Sequence, residues 1–321
     1  MPTIYAATRV RALRAKMFSH SELETLSEKE YTSIIYGLEK KGYPHLLDLI
    51  EENFAEDKLQ KVLKKQDSEE LRHIITSLRG YNKQFFEILL QKHDIDFIIA
   101  LFRTKSSPKH KQYALKDLLF ERKSFSQRDI DNILQSDTAQ LIQFFKKTPY
   151  AKLITPYIGD LMQGKIAHVE NELYDAFYKK LINIARNNTV LHSFVKQDID
   201  IQNIRRALCF VQTDFIKGGT FSQKVLANID ASTDVKSIIA ALSQTKYHTF
   251  IQHDQTVADM IKTLHRSKLA SAKIYMKQEP LGIGQILAYY IQKRIELKNI
   301  RIILKLKNAY FENEEITQAI I

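Results

Sequence analysis

The sequence predicts an all-α protein built from three related helical-bundle modules, and three observations support this fold class. The chain of 321 residues contains only 9 Gly and 6 Pro, whereas turn-rich β architectures need far more of these residues. Hydrophobic residues make up 44% and charged residues 26% of the chain, an ordinary globular composition with enough apolar surface for a large core. Three sequence signatures also recur in the same order, which indicates an internal repeat.

The first signature is a helix start that opens with an aromatic residue. Its copies are Phe18-Ser-His-Ser-Glu-Leu23, Phe125-Ser-Gln-Arg-Asp-Ile130, Phe221-Ser-Gln-Lys-Val-Leu226 and a shortened Phe311-Glu-Asn-Glu-Glu-Ile316. In the first two copies the Ser can cap the helix while Glu22 or Asp129 occupies the N3 position, as in a capping box. The aromatic side chain would then pack onto the new helix and fix its entry angle.

The second signature is an apolar helix face followed by a tyrosine in a chain break. Its copies are Ile34-Ile35, Leu38, Tyr43 and Leu46; Leu141-Ile142, Phe145, Tyr150 and Leu153; and Ile238-Ile239, Leu242, Tyr247 and Phe250. The leading Phe and the Tyr are 25, 25 and 26 residues apart. Apolar steps of three and four residues predict one buried helix face.

The third signature closes each module with an acidic helical segment. Its copies are Asp94-Ile-Asp-Phe97, Asp198-Ile-Asp-Ile201 and, more loosely, Arg294-Ile-Glu-Leu297. Successive module starts lie 107, 96 and 90 residues apart, which is too long for the helical repeats of ~34 to ~47 residues. We therefore predict module 1 with a lead-in helix at 1–124, module 2 at 125–220 and module 3 at 221–321, in a pseudo-threefold arrangement around a hollow.

The net charge of +11 is spread over the chain. The three modules carry +4, +2 and +5, whereas a nucleic-acid-binding arm usually concentrates its charge in one block. The single cysteine, Cys209, lies in an apolar stretch and predicts a buried thiol, in keeping with a reducing compartment. Because the N-terminus does not resemble a signal peptide and no apolar run reaches the ~18–20 residues that span a bilayer, we predict a cytoplasmic location.

The motifs that could carry chemistry all have simpler interpretations. The Asp94/Asp96 and Asp198/Asp200 pairs recur at equivalent positions, which favours helix N-caps or solvated residues over a metal site. Gly282-Ile-Gly284 lacks the third glycine and the preceding strand of a dinucleotide fingerprint, and the segment 217–220 is typical of a helix-ending turn. The histidines show no zinc-ligand spacing, and no activated nucleophile is visible. We therefore predict no metal, no cofactor and no catalytic activity.

Two basic segments are candidates for binding a partner. The first is the opening helix, with Arg9, Arg11 and Arg14. The second lies near the C-terminus, where the cations step by 4, 3 and 4 residues: Arg294, Lys298, Arg301 and Lys305. This spacing places four like charges on one helix face, opposite Leu297, Ile300 and Leu304. The face is either simply solvated or a docking surface for an acidic partner that neutralises it.

The opening segment and a C-terminal segment that begins at Glu279 carry a family resemblance. The opening Tyr5…Arg9-Val-Arg-Ala-Leu-Arg14 and the C-terminal Glu279-Pro-Leu-Gly-Ile-Gly-Gln-Ile-Leu-Ala-Tyr289 resemble the C subunits of archaeal and bacterial V/A-type rotary ATPases, which correspond to the d subunits of the eukaryotic V-ATPases. The resemblance covers essentially the whole chain. It departs from the family at Arg294, where relatives commonly carry glutamate.

The resemblance implies a funnel of three helical domains in the central stalk, one copy per complex. The open side would receive the D and F subunits of the shaft, and the narrow side would rest on the membrane proteolipid ring, so that the chain couples ATP synthesis or hydrolysis to ion transport. It implies no nucleotide, no nucleic acid and no small-molecule substrate, and a location peripheral to the membrane. We expect the partner-binding residues near the shaft-facing cavity to be Tyr289, Tyr290, Lys293, Lys298 and Arg301.

The competing hypothesis is a basic all-helical scaffold that binds RNA or DNA. It predicts a basic stripe on one surface and an affinity that falls steeply with salt. An enzyme is the third possibility, and it would need a deep pocket with perturbed titratable groups.

Overall fold

The computed structural model describes residues 2–43, 56–106, 129, 132–133, 135–209, 214–251 and 255–321. Within these ranges the chain forms α-helices, one 3-10 helix at Thr155–Tyr157 and no strand, which confirms the predicted all-α class. The α-helices with both ends in these ranges are α1 (Pro2–Arg14), α2 (His20–Ser27), α3 (Tyr31–Lys40), α4 (Glu56–Thr76), α5 (Gly80–Ser106), α6 (Thr138–Phe145), α7 (Ala151–Ile154), α8 (Ile158–Met162), α9 (Ala167–Ala185), α10 (Thr189–Leu208), α11 (Gln223–Asp230), α12 (Val235–Leu242), α13 (Val257–Gln278), α14 (Ile283–Asn308) and α15 (Asn313–Ala319).

Six long helices form three hairpins that pack in a closed cycle. Short turns at 77–79, 186–188 and 279–282 join α4 to α5, α9 to α10 and α13 to α14. Between hairpins, α5 packs on α9, α10 on α13, and α14 on α4, so the last hairpin meets the first. The Asn188 amide donates to the Glu279 carboxylate across 3.0 Å and joins two of the turns. We call the end of the cycle that carries the three turns the hairpin end; the threefold symmetry of the cycle stays a prediction.

Short helices pack between the hairpins, away from the hairpin end. Helices α2 and α3 share an apolar core with α4, α14 and α15, and α11 and α12 share one with α10 and α13. Helices α6 to α8 belong to the largest core, together with α5 and α9. Each short set thus joins the second helix of one hairpin to the first helix of the next. The predicted boundary at 124/125 lies outside the described residues, and the three-domain division stays a prediction.

The helix face and the tyrosine of the second signature are buried in every copy, as predicted, whereas the closing Leu153 and Phe250 are half-buried. The buried residues are Ile34, Ile35, Leu38 and Tyr43; Leu141, Ile142, Phe145 and Tyr150; and Ile238, Ile239, Leu242 and Tyr247. The leading aromatic packs against the tyrosine of its own module, with ring centroids 6.2 Å apart for Phe18 and Tyr43 and 5.6 Å apart for Phe221 and Tyr247. Phe125 and Leu46 lie outside the described residues.

The predicted helix starts are confirmed wherever the structure describes them. Ser19 accepts from the backbone N–H of Glu22, and the Glu22 carboxylate accepts from the N–H of Ser19 across 2.7 Å, which forms the predicted capping box. Ser222 caps α11, and Glu312 caps α15. The Ser126 copy falls outside the described residues.

The interpretation of the Asp pairs as N-caps or solvated residues is wrong for three of the four carboxylates. Asp94, Asp198 and Asp200 lie within α5 and α10, far from the helix starts, and are at most 9% exposed. The Tyr150 hydroxyl donates to Asp94 across 3.0 Å, and the Tyr247 hydroxyl donates to Asp200 across 3.1 Å. The third signature of one module therefore holds the tyrosine of the next module.

Asp200 also holds the start of the next module, and so does Glu296 at the equivalent position of the third signature. Asp200 Oδ1 accepts from the backbone N–H of Thr220 across 2.7 Å, one residue before Phe221. At the equivalent position in the third module, Glu296 Oε1 accepts from the backbone N–H of Phe18 across 2.6 Å. We call Asp94, Asp200 and Glu296 the latch carboxylates, because each joins one module to the next around the cycle.

The segment 217–220 is not the helix-ending turn that its glycines suggested. Helix α10 ends at Leu208, and the segment is a separate bend with Gly218 at φ +96°. A Cβ atom on Gly219 would lie 2.2 Å from Asp200 Oδ1. The glycines are therefore needed so that the backbone can approach the latch carboxylate closely.

Gly284 sets the spacing of the last hairpin and gives a first testable prediction. A Cβ atom there would lie 2.2 Å from the backbone carbonyl oxygen of Tyr275, which cannot move aside as a flexible side chain would. We expect Gly284→Ala to lower the free energy of unfolding by about 1–3 kcal/mol, measured by urea denaturation. Gly159→Ala is the matched control, because nothing lies within 4 Å of the added Cβ, and an equal loss there would contradict the argument.

Two further sequence predictions concern burial and the membrane. The prediction of a buried Cys209 thiol is wrong, because this residue follows the end of α10 and is exposed.

Among the described helices, none combines the length and hydropathy that crossing a bilayer requires.

Candidate functional site

A hollow lies between the long helices α5, α10, α13 and α14. Its volume is about 290 Å³. Five cations, a histidine and two carboxylates stand on its wall: Lys92, Arg205, Lys268, Arg294, Lys298, His265, Asp96 and Asp198. We call this space the central hollow. On α10 its lining runs from Phe194 to Arg205, a rise of about 16 Å at 1.5 Å per residue.

Aromatic rings close the central hollow toward the hairpin end. The rings of Phe194 and Tyr290 meet edge to face, with centroids 6.4 Å apart. Behind them, Phe86 packs on Tyr290 with centroids 6.0 Å apart, and Phe85 packs on Phe194 at 6.1 Å. Edge-to-face packing of this kind is favourable and closely packed. The hollow therefore has a rigid apolar floor.

Ionic pairs form the middle of the central hollow. Asp198 accepts from the Lys268 ammonium across 2.5 Å and from the Tyr178 hydroxyl across 2.6 Å. Burial alone would raise the pKa of Asp198, but Lys268 and then Lys92 outweigh it and hold the pKa well below its usual range. The carboxylate is therefore charged at neutral pH, and it neutralises part of the surrounding positive charge.

Lys92 stands out in this middle layer. Its ammonium is buried and has no hydrogen-bond acceptor among the described residues. The Tyr174 ring centroid lies 5.2 Å away and the Tyr178 centroid 5.8 Å away. Burial lowers the pKa of Lys92, while Asp96 and Asp198 oppose the shift. Cation–π contacts compensate only part of the loss of hydration. A buried ammonium without an acceptor is therefore available to a ligand anion.

We call the end of the central hollow opposite the aromatic floor its mouth. This end is cationic. Arg205 is exposed and Lys298 is half-buried. Among the described residues, no carboxylate forms an ion pair with either of them, whereas Lys268 and Arg294 are paired with Asp198 and Asp67. Burial and then the charges of Arg205 and Lys268 lower the pKa of Lys298 to about 8. The mouth therefore carries uncompensated positive charge.

The five residues predicted for partner binding separate into two groups. Tyr290 and Lys298 line the central hollow, and Arg301 lies one turn beyond Lys298 on α14. Tyr289 and Lys293 do not line it. The Tyr289 hydroxyl donates to Glu70 of α4, and Lys293 donates to the Tyr43 hydroxyl across 2.7 Å.

The reason for this separation is the pairing of Lys293 within the fold. Its ammonium lies 2.9 Å from Glu296 and 3.5 Å from Glu70, and the residue is 8% exposed. Tyr289 and Lys293 therefore fasten α14 to α4, and only Tyr290, Lys298 and Arg301 stay near the hollow.

Three cations of the hollow were not predicted from the sequence: Lys92, Arg205 and Lys268. A signal existed for Arg205, because it holds the same place in module 2 as Arg301 holds in module 3, within the shared Asn-Ile-Arg. Lys92 and Lys268 do not lie in any of the repeated sequence signatures. Their role follows only from the packing of four helices around one space.

His265 in the wall of the hollow gives a second testable prediction. Burial, followed by Lys298 and Lys268, lowers the pKa of His265 to about 2. An unfolded histidine titrates near pH 6.5, so below that pH the unfolded chain binds a proton that the folded chain excludes, and stability falls. Between pH 7.5 and 5.5 we expect the wild type to lose about 1.4 kcal/mol more than His265→Gln.

Urea denaturation at the two pH values measures this difference. The control is His248→Gln, which removes an exposed histidine and should keep the wild-type decline. If the wild type and His265→Gln lose the same free energy of unfolding between the two pH values, the lowered pKa of His265 is refuted.

No group of three His, Cys, Asp or Glu side chains close enough to hold a metal ion occurs in the described part of the chain. The fold and the hollow thus define an all-helical protein whose three long hairpins pack in a cycle with a cationic hollow. A family model described as ATP synthase (C/AC39) subunit matches residues 6–319. The chain belongs to the ATP synthase (C/AC39) subunit family.

Curated relatives agree with this family over the full length. The chain is 24% identical to the C subunit of the A-type ATP synthase of Thermococcus kodakarensis, covering 99% of this chain and 90% of the relative. It is 23% identical to that of Methanobrevibacter smithii over 100% of this chain and 88% of the relative. The corresponding values for Pyrococcus furiosus are 21%, 95% and 86%.

Proposed function

We propose that the chain is the non-catalytic central-stalk component of an A/V-type rotary ATPase, a socket that joins the rotor shaft to the membrane proteolipid ring. The central hollow carries this proposal: it is closed by aromatic rings at one end and opens at a cationic mouth at the other. The relatives are named as A-type ATP synthase subunits, which supports membership of such a complex. The nucleic-acid alternative receives no support from the comparisons.

The open end suits an acidic or polar shaft tip. Arg205 and Lys298 stand at the mouth, and like charges held together are relieved when a partner of opposite charge binds. Arg301 lies one turn beyond Lys298 on α14. Charge complementarity of this kind also guides the encounter of two proteins. We assign this end to the D and F subunits of the shaft.

The hairpin end suits the ring. Tyr81 and Leu281 lie at or next to its turns and are 51% and 52% exposed, and Tyr5 on α1 is 65% exposed. Exposed apolar side chains of this size mark interaction surfaces when they cluster. A peripheral position on the ring would cover them.

The latch carboxylates supply the stiffness that torque transmission needs. Asp94, Asp200 and Glu296 join successive modules through hydrogen bonds that are buried or partly buried. Close-packed interiors have low compressibility and transmit strain. A socket built in this way would turn as one body with the shaft.

Binding to the shaft tests the proposal. Purified chain and a purified complex of the D and F subunits from the same organism are mixed and separated by size-exclusion chromatography at moderate salt. We expect one complex with a single copy of the chain. Separate elution at micromolar concentrations, or elution of the chain with nucleic acid instead, would overturn the proposal.

A further inference from the structure

We infer that the central hollow is a binding site for a free, multiply charged oxyanion of the pyrophosphate class. The wall carries five Lys or Arg side chains and two Asp side chains, so its basic groups outnumber its carboxylates. This ligand site does not depend on the shaft partner.

The first argument is the unused donor capacity of the hollow. In the part of the chain that the structure describes, Lys92 has a buried ammonium without an acceptor, and neither Arg205 nor Lys298 has an ion-pair partner. These three side chains come from three different helices and stand around one space. A buried donor without an acceptor costs free energy that a charged acceptor restores.

The second argument is the electrostatic state of the wall. The pKa of Lys298 is lowered to about 8 by burial and by its cationic neighbours, and burial together with nearby cations lowers the pKa of His265. Burial contributes most to both shifts, and the neighbouring cations contribute next. The cationic part of this field would stabilise an anion placed there, whereas burial would oppose its dehydration.

The third argument is size. The volume of about 290 Å³ corresponds to about ten water molecules at roughly 30 Å³ each. A linear diphosphate fits within such a volume, among the cations of the wall. Guanidinium groups bind phosphate oxygens through two parallel hydrogen bonds, and lysine adds a point charge.

Isothermal titration of the full chain with inorganic pyrophosphate tests this site. Ionic strength is held constant with sodium chloride, and the variants are Arg205→Gln and Lys298→Gln. We expect one site per chain and at least a tenfold weaker affinity in each variant. Lys224→Gln, which removes an exposed cation on α11, should bind as the wild type does.

Thermal unfolding checks that the variants fold and gives a second readout. Because Arg205 and Lys298 have no ion-pair partner in the described part of the chain, each variant should unfold at or above the wild-type temperature without ligand. Pyrophosphate should raise that temperature in the wild type and in Lys224→Gln but not in the other two variants.

Several outcomes would overturn the inference. These are the absence of binding heat beyond the sodium chloride control, several weak sites per chain, or an equal loss of affinity in Lys224→Gln. If pyrophosphate does not bind while Lys298→Gln still weakens shaft binding, the hollow serves a carboxylate of the shaft. The inference then fails and the proposed function stands.

Discussion

Asp200→Ala should lower the free energy of unfolding by about 3–5 kcal/mol. The residue is fully buried and accepts from the Thr220 backbone N–H, the Thr220 hydroxyl and the Tyr247 hydroxyl. Removing the carboxylate leaves these donors without an acceptor in a place that water does not reach, and each such donor costs about 1–3 kcal/mol. Urea denaturation followed by circular dichroism measures the loss.

The control for this prediction is Asp230→Ala, which removes an exposed carboxylate at the end of α11. It should change stability by no more than about 0.5 kcal/mol. Tyr247→Phe removes one donor rather than the acceptor and should cost about 1 kcal/mol. If Asp200→Ala is as stable as Asp230→Ala, the latch carboxylates do not hold the modules together.

The double charge reversal Lys298→Glu/Arg301→Glu should weaken binding to the D and F subunits of the shaft about a hundredfold, or about 2.7 kcal/mol. Both side chains are half-buried. Lys298 lines the hollow and Arg301 lies one turn beyond it on α14, so reversed charges there would repel an acidic partner surface. Juxtaposed like charges cost several kcal/mol at an interface. Surface plasmon resonance against the immobilised shaft complex measures the affinity.

The matched control reverses two exposed lysines on the short helices, Lys224→Glu/Lys236→Glu. It changes the net charge by the same amount but alters no side chain that lines the hollow, so its affinity should stay within a few fold of wild type. The effect of Lys298→Glu/Arg301→Glu should also shrink as salt rises, because screening weakens exposed charges. Equal losses in both variants would mean that net charge alone governs the association.

Much of the fold was readable from spacing. Ser19, Tyr43 and Tyr247 occupy the positions that the repeat predicted, because capping and apolar periodicity act over a few residues and leave a direct mark on the sequence. The repeat also showed that Asp200 and Glu296 are equivalent. It did not show that they are buried, because an Asp-x-Asp pattern is the same in solvent and in a core.

Burial of these carboxylates depends on donors from the next module. Thr220 and Tyr247 lie 20 and 47 residues beyond Asp200 in the chain. Their contacts with Asp200 therefore cannot be predicted from the sequence immediately around it. Cys209 illustrates the opposite error: its apolar neighbours Leu208 and Ala207 suggested a core position, yet the helix ends there and exposes the thiol.

The candidate site was predicted only in part, for a related reason. Lys298 and Arg301 were visible because they share one helix face, where a step of three or four residues brings side chains together. Lys92, Arg205 and Lys268 come from three other helices. Their convergence is set by how the hairpins pack in a cycle, which pairwise helix patterns do not specify.

Bridging of the shaft to the ring tests the central claim most directly. Membranes that contain the proteolipid ring but lack this chain are incubated with the labelled shaft complex, with and without the purified chain, and then pelleted. The socket predicts that the shaft pellets only when the chain is present, saturates at one chain per ring, and is lost with Lys298→Glu/Arg301→Glu. If the shaft complex pellets equally well without the chain, or fails to pellet when the chain is present, the chain does not join the shaft to the ring.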